Sequence, residues 1–105
     1  NDRRGGEAVK VLRIEESREP CAESGWYAYD LFLSRKIEKE DILSLGSHGD
    51  LTYLAQLKTP FYKLNQPYFY IQGLEGTAEL RIAVFLEAEK EIMEEVTGWI
   101  GQWKE

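Results

Sequence analysis

The stretch of residues 87–104 constrains the fold most, because its apolar side chains recur at the spacing of an α-helix. Glutamates are concentrated at the start of this stretch and suit the positive end of a helix dipole. A one-sided apolar stripe needs another element to pack against. The sequence therefore predicts an amphipathic helix that docks on the preceding part of the chain. Its apolar positions are Ile92, Met93, Val96, Trp99, Ile100 and Trp103.

Four earlier segments are typical of β-strands. Residues 8–16 mix β-branched and charged side chains, and residues 26–34 alternate two sets of mostly apolar side chains. Residues 68–72 and 79–86 are dense in aromatic and branched side chains, and the linker between them contains two glycines. We expect the first two segments to pair antiparallel and the last two to form a hairpin.

Two stretches between these strands indicate helices. Residues 36–45 contain good helix formers and end before a glycine. Asp50 can cap a second stretch, in which Leu51, Leu54 and Leu57 recur every three residues. Residues 61–65 favour neither structure.

The predicted order is β-β-α-β-β-α. It corresponds to an α+β fold with an antiparallel sheet of about four strands, both helices on one face, in a two-layer sandwich. A chain of 105 residues is long enough for one core. We expect residues 1–7 to form a flexible N-terminal segment and residues 8–105 to form a single domain.

Composition excludes several classes of protein. The net charge of −6 opposes binding to phosphate backbones and anionic lipid surfaces, so we expect no membrane partner. Nucleic-acid binding through the aromatic sheet is a third and less favoured alternative, because base stacking usually comes with a basic field. No apolar stretch approaches the roughly 20 residues that cross a bilayer. Cys21 is the only cysteine, which leaves no intramolecular disulfide and no paired thiols for zinc. A cytoplasmic location suits such a chain.

The sequence shows no coherent set of catalytic or metal-binding residues. The single histidine, His48, lies beside Ser47 and Asp50, but neighbouring residues cannot generally form a serine–histidine–acid relay. A turn with a helix cap explains this segment more simply. We interpret Cys21 as an incidental thiol and the glutamates of residues 87–95 as a solvated helix face. We therefore predict no catalytic residues, no metal site and no cofactor.

Aromatic density is the feature that indicates a binding role. If helices cover one face of the sheet, alternation directs Tyr68 and Tyr70 away from Phe69 and Ile71, and one of these sets needs another cover. A partner subunit, an organic ligand or a folded loop can supply it.

We therefore predict a non-enzymatic binding or protein-interaction domain. In one version of this hypothesis, the domain forms a homodimer through an exposed aromatic face of the sheet. The alternative is a small-molecule-binding protein or enzyme with an aromatic-lined pocket. In that alternative Tyr62, Tyr68 and Tyr70 line the pocket, and His48 or Tyr29 supplies polar chemistry. These five residues are the predicted site.

Overall fold

The computed structural model describes residues 8–16 and 25–104. Two short 3₁₀ turns, Gly46–His48 and Leu86–Ala88, precede the third strand and the second helix. In chain order the elements are β1 (Val11–Glu16), β2 (Trp26–Leu33), α1 (Lys39–Leu45), β3 (Asp50–Leu54), β4 (Phe61–Gln66), β5 (Phe69–Leu74), β6 (Glu79–Phe85) and α2 (Glu89–Ile100).

All six strands belong to one antiparallel sheet with the strand order β1-β2-β6-β5-β4-β3. Strands β3 to β6 follow one another as a meander, and β6 then pairs with β2, which joins the meander to the first hairpin. The predicted antiparallel pairing of β1 with β2 and the predicted β5–β6 hairpin are both confirmed. This order puts β1 and β3 at the two edges of the sheet.

Both helices pack on the same face of the sheet, which we call the helix face. The predicted C-terminal helix is confirmed but spans Glu89–Ile100 instead of residues 87–104, so Trp103 follows it. Of its predicted apolar stripe, Ile92, Val96 and Ile100 are buried, and Met93 and Trp99 are partly buried. They join one apolar core with the helix-face side chains of the strands. The core residues of β2, β4, β5 and β6 are Leu31, Leu33, Tyr62, Leu64, Phe69, Ile71, Leu80, Ile82 and Val84. Neither helix of the described residues is long and apolar enough to cross a membrane.

The prediction of four strands in β-β-α-β-β-α order is wrong. The order is β-β-α-β-β-β-β-α, and strands account for 45% of the structure against 28% for helices. The fold is therefore mostly sheet. The two strands that the sequence pattern did not predict are β3 and β4.

The error at β3 has a clear physical reason. The three-residue spacing of leucines predicted a helix from Asp50 onward, but a helix of this length is marginal without tertiary support. As a strand, the segment directs Leu51 and Tyr53 to the helix face, where they pair with Leu64 and Tyr62 of β4 and pack on the core. Burial of two alternating side chains outweighed the weak helical spacing.

An ion pair that is largely buried fastens α1 to the end of β2. The Arg35 guanidinium donates to both carboxylate oxygens of Asp41, at 2.6 and 2.9 Å. Asp41 also accepts a hydrogen bond from the Glu38 backbone N–H at 2.8 Å, which satisfies a free donor at the helix start. Arg35 Nε donates to the Lys104 carbonyl oxygen at 2.7 Å. One guanidinium thus joins β2, α1 and the segment after α2.

Candidate functional site

The sheet face opposite the helix face carries no helix of the described residues, and we call it the open face. Its side chains occupy the strand positions that alternate with the core positions. Its main members are Trp26, Ala28, Asp30, Phe32, Phe61, Lys63, Tyr70, Gln72, Arg81, Ala83 and Phe85.

Four aromatic rings form a connected group at one end of the open face, and we call Trp26, Tyr68, Tyr70 and Phe85 the aromatic cluster. The rings of Trp26 and Tyr70 stack with their centroids 6.4 Å apart. The Phe85 ring lies 6.2 Å from Trp26 and 6.2 Å from Tyr68. Tyr68, in the turn before β5, is 59% exposed, and the other three are partly buried. Such rings offer a large apolar area while the phenol oxygens stay in water.

A small side chain beneath the rings makes this cluster possible. Trp26 on β2 is opposite Phe85 of β6, and Tyr70 on β5 is opposite Ala83, two residues away on the same strand. Their backbones are therefore roughly 12 Å apart. Ala83 of β6 is paired with Tyr70 in register and is completely buried. Its short side chain leaves room for the two rings to lean across β6 and meet.

A row of polar side chains crosses the open face beside the aromatic cluster, and we call it the polar row. Consecutive Cα pairings run from Glu15 to Asp30, Arg81, Gln72 and Lys63, one residue on each of five adjacent strands. Arg81 Nε donates to Asp30 Oδ1 at 3.3 Å. The two acidic members lie on β1 and β2, whereas the two basic members lie on β6 and β4. The row therefore has an acidic half and a basic half.

Two cations of the open face lie over aromatic rings. Lys63 Nζ is 4.3 Å from the centroid of the Tyr70 ring, and the Arg13 guanidinium carbon is 4.1 Å from that of Phe32. Contacts of this kind are worth about 0.5–1 kcal/mol at exposed sites. Both contacts hold positive charge against the sheet, and the Lys63–Tyr70 contact connects the polar row to the aromatic cluster.

Two shallow hollows lie near these groups. The first, of about 270 Å³, is bordered by the Asp30–Arg81 pair and by Phe61, Gln72 and Leu74. The second, of about 260 Å³, lies between the β4–β5 turn and α2 and is bordered by Tyr68 and Glu91. Clefts that bury a drug-sized ligand measure about 300–1,000 Å³. Each hollow is therefore slightly smaller than such a cleft.

The five predicted site residues lie in separate parts of the molecule. Tyr68 and Tyr70 belong to the aromatic cluster of the open face, each through its own ring contact. Tyr62 is completely buried in the core. On the helix face, His48 contacts Trp99 of α2 and Tyr29 contacts Glu89, the first residue of α2. The structure therefore brings two of the five onto one surface and does not bring the other three to it.

His48 packs against α2. Its ring stacks on Trp99 with a centroid distance of 3.9 Å and an interplanar angle of 9°, and its backbone oxygen accepts a hydrogen bond from the Gln66 side chain. The neighbouring Ser47 hydroxyl donates to the Ser44 carbonyl oxygen at 2.9 Å, so its proton is engaged outside any relay with histidine. The His48–Trp99 stack thus attaches the 3₁₀ turn to α2.

Tyr29 connects β2 to the start of α2. Its hydroxyl donates to Glu89 Oε1 at 3.1 Å. Partial burial raises the pKa of the Tyr29 phenol above its ordinary value, and the adjacent Glu89 carboxylate raises it further because it repels the phenolate. Tyr29 therefore stays protonated and acts as a hydrogen-bond donor.

Tyr62 has a hydroxyl that is buried without a hydrogen-bond partner among the described residues. Burial raises the pKa of its phenol far above the ordinary value, and the nearby Asp41 carboxylate adds to the rise. The hydroxyl lies against Gly73 of β5, where a Cβ atom would stand 2.6 Å from it. Gly73 is thus needed to accommodate Tyr62, which has the role of a core residue.

Residues 8–16 and 25–104 contain no group of three or more histidine, cysteine, aspartate or glutamate side chains that could hold a metal ion. Cys21, interpreted above as an incidental thiol, lies outside the described residues, as do residues 1–7.

Sequence reasoning did not select Trp26, Phe85, Asp30, Arg81 and Lys63 as site residues. The signal for Trp26 and Asp30 was available, because strict alternation in residues 26–34 puts them on the same face of a strand. The pairing of β2 with β6 and of β6 with β5 brings the other residues beside them, and this pairing cannot be read from local pattern.

Comparison of the chain with protein-family models, with curated proteins and with solved structures finds no match.

Proposed function

We propose that this chain is a non-enzymatic protein-interaction domain and that the open face of the sheet is its contact surface. The observation that carries this proposal is the aromatic cluster: Trp26, Tyr70 and Phe85 lie on the face opposite the helices, and Tyr68, at the turn beside α2, is 59% exposed. Protein interfaces are enriched in tyrosine, tryptophan and phenylalanine, and their most important residues are often these aromatic side chains. The polar row beside the cluster supplies charges that can orient a partner.

The positions of the candidate polar groups favour binding over catalysis. His48 is stacked on Trp99, the Tyr29 hydroxyl is bonded to Glu89, and Tyr62 is buried in the core. A catalytic site needs a nucleophile or base and its orienting group within hydrogen-bond reach in one cleft. These three side chains lie apart from one another and from the open face.

A second candidate function, small-molecule binding, draws support from the hollow of about 270 Å³ beside the Asp30–Arg81 pair. The geometry supports it less, because that hollow is small and none of the five predicted site residues borders it. A fragment screen by NMR would favour this candidate if hits shifted the amides of Gln72 and Arg81 at sub-millimolar concentration.

Site-specific photo-crosslinking in the native host tests the protein-interaction proposal even though the partner is unidentified. A photoreactive phenylalanine analogue is incorporated in place of Tyr68, on the open face, and in a second variant in place of Leu43 of α1. Leu43 is a matched control because it is 51% exposed and lies on the helix side. We expect a discrete covalent protein adduct from position 68 and none from position 43.

Equal adducts at the two positions, or no adduct from position 68, would contradict the proposal. Circular dichroism of both purified variants verifies that each retains the fold of the unmodified protein. Mass spectrometry of the adduct identifies the partner and the position of the contact.

A further inference from the structure

We infer that the open face binds a second copy of this chain face to face, about a two-fold axis that runs along the strands. This inference rests on the proposed function and names the partner of the same surface. Its basis is the charge asymmetry of the polar row about the line between β6 and β5: Glu15, Asp30 and Arg81 lie on one side, with one more acidic than basic side chain, and Lys63 is the charged member on the other.

The symmetry of the sheet makes this charge pattern self-complementary. Three strands lie on each side of the line between β6 and β5. A two-fold axis along that line exchanges the two sides, so position β2 of one copy faces position β4 of the other. Asp30 then faces Lys63 of the second copy at both symmetry-related places. A two-fold axis across the strands would instead oppose Asp30 to Asp30 and Lys63 to Lys63, which is repulsive.

The apolar groups of the open face fit the same arrangement. Ala83 of β6 and Tyr70 of β5 lie at equivalent distances from the axis, so the Tyr70 ring of each copy faces the Trp26–Tyr70 ring pair that covers Ala83 in the other. Two residues along from the polar row, Phe32 of β2 faces Phe61 of β4 in the same way. Face-to-face sheets pack about 10 Å apart at a mean angle near 30°, which brings these side chains into contact.

The area of the open face limits the affinity expected for the dimer. Six strands about 4.8 Å apart, with about six residues each at about 3.4 Å, present a flat area of roughly 500 Å². Specific interfaces bury about 800 Å² per partner, so this contact is at the small end. We therefore expect a weak, concentration-dependent dimer, with a Kd on the order of 10–100 μM.

Charge reversal tests both the partner and the orientation. Sedimentation velocity from about 1 μM to about 1 mM measures the dimer Kd for the wild type, for Asp30→Lys, for Lys63→Glu and for an equimolar mixture of the two variants. Each variant alone opposes like charges in its homodimer, so we expect Kd to rise at least about tenfold.

Mixing the two variants should restore association. In the mixed dimer the lysine introduced at position 30 faces the glutamate introduced at position 63, and the unchanged Lys63 faces the unchanged Asp30. Opposite charges therefore meet at both symmetry-related places. Lys90→Glu and Glu94→Lys are matched controls on α2, where both residues are exposed, and should leave Kd unchanged.

Chemical crosslinking provides a measurement that does not depend on the folding of the charge variants. In a Cys21→Ser background, Glu15→Cys and Thr52→Cys lie at exposed positions on the two edge strands. The axis along the strands predicts that a short bismaleimide links position 15 of one copy to position 52 of the other when the two variants are mixed. Links from 15 to 15 and from 52 to 52 instead would overturn the orientation.

The outcomes separate this inference from the proposed function. A wild type that is strictly monomeric up to about 1 mM, or a dimer whose Kd is the same in all charge variants, overturns the inference. In the monomeric case, a photo-crosslink from position 68 to a different protein leaves the proposed function intact. Restored association in the mixture, together with 15–52 crosslinks, supports both.

Discussion

Removal of the buried Tyr62 hydroxyl should stabilise the protein. The hydroxyl is buried without a partner among the described residues, and burial of an unpaired polar group costs roughly 1–3 kcal/mol. Tyr62→Phe keeps the ring and removes only one oxygen atom. Each atom pair lost contributes about 0.1–0.2 kcal/mol of dispersion energy, so the few contacts of this oxygen sum to roughly a few tenths of a kcal/mol. We expect the free energy of unfolding to rise by about 1 kcal/mol.

The neighbouring glycine converts this prediction into a thermodynamic cycle. A Cβ at residue 73 would lie 2.6 Å from Tyr62 Oη and 3.0 Å from Cζ, so Gly73→Ala overpacks the site and should cost about 1–3 kcal/mol. In the Tyr62→Phe background the closest clash disappears and the Cζ contact remains. We expect Gly73→Ala to cost about 1 kcal/mol less there, as a favourable coupling between contacting residues.

Urea unfolding followed by tryptophan fluorescence measures all four proteins of this cycle, and equal m-values show that the unfolding transition is comparable. If Tyr62→Phe lowers the free energy of unfolding by more than about 1 kcal/mol, the hydroxyl has a hydrogen-bond partner and the reasoning is wrong. Additive effects of the two substitutions would show that the Tyr62 hydroxyl does not lie against Gly73.

Three further predictions concern pH, the aromatic cluster and the buried ion pair. Folding raises the Tyr62 pKa above 10.0, so above pH 10 the native protein keeps a phenol proton that the unfolded chain loses. The free energy of unfolding is therefore unaffected by this group below pH 10 and falls above it by up to about 1.4 kcal/mol per pH unit. Urea titrations between pH 9 and 11 should therefore show a steeper decline for the wild type than for Tyr62→Phe, and equal slopes would contradict this origin. Ala83→Leu should separate the rings that meet above it and lower stability by about 1–3 kcal/mol, with a shift in Trp26 fluorescence; an unchanged spectrum would argue against the stack. Asp41→Ala removes the carboxylate that accepts two hydrogen bonds from Arg35 and one from the Glu38 backbone and should cost about 1–3 kcal/mol in urea unfolding, whereas a loss below about 1 kcal/mol would mean that the pair is solvated.

Much of the sheet could be predicted from local pattern. The segments that became β2 and β6 alternate apolar side chains over seven or eight residues, and the α2 stripe has clear helical spacing. The segment Asp50–Leu54 was predicted incorrectly as a helix, because five residues contain too little periodicity to separate a spacing of three from a spacing of two. Its partner β4 remained undecided for the same reason.

The site could be predicted only in part. Alternation correctly separated Tyr70 from the buried Phe69 and Ile71. The same pattern gave no way to distinguish Tyr62, which also lies in an aromatic segment but faces the core. Whether the Tyr62 side chain points to the core or to solvent depends on which face of β4 the helices pack against, and only the tertiary structure determines that face.

By itself, therefore, the sequence determined which side chains share a face of each strand and that the last helix is one-sided, because both follow from the repeat of the local backbone. Only the tertiary structure decided that six strands form one sheet and that Trp26 meets Tyr70 across Ala83. It also decided that acidic and basic side chains divide the polar row of the open face. These features depend on pairing between strands that are distant in the chain. The burial of one common core selects this pairing, and the pairing has no counterpart in the periodicity of the local sequence.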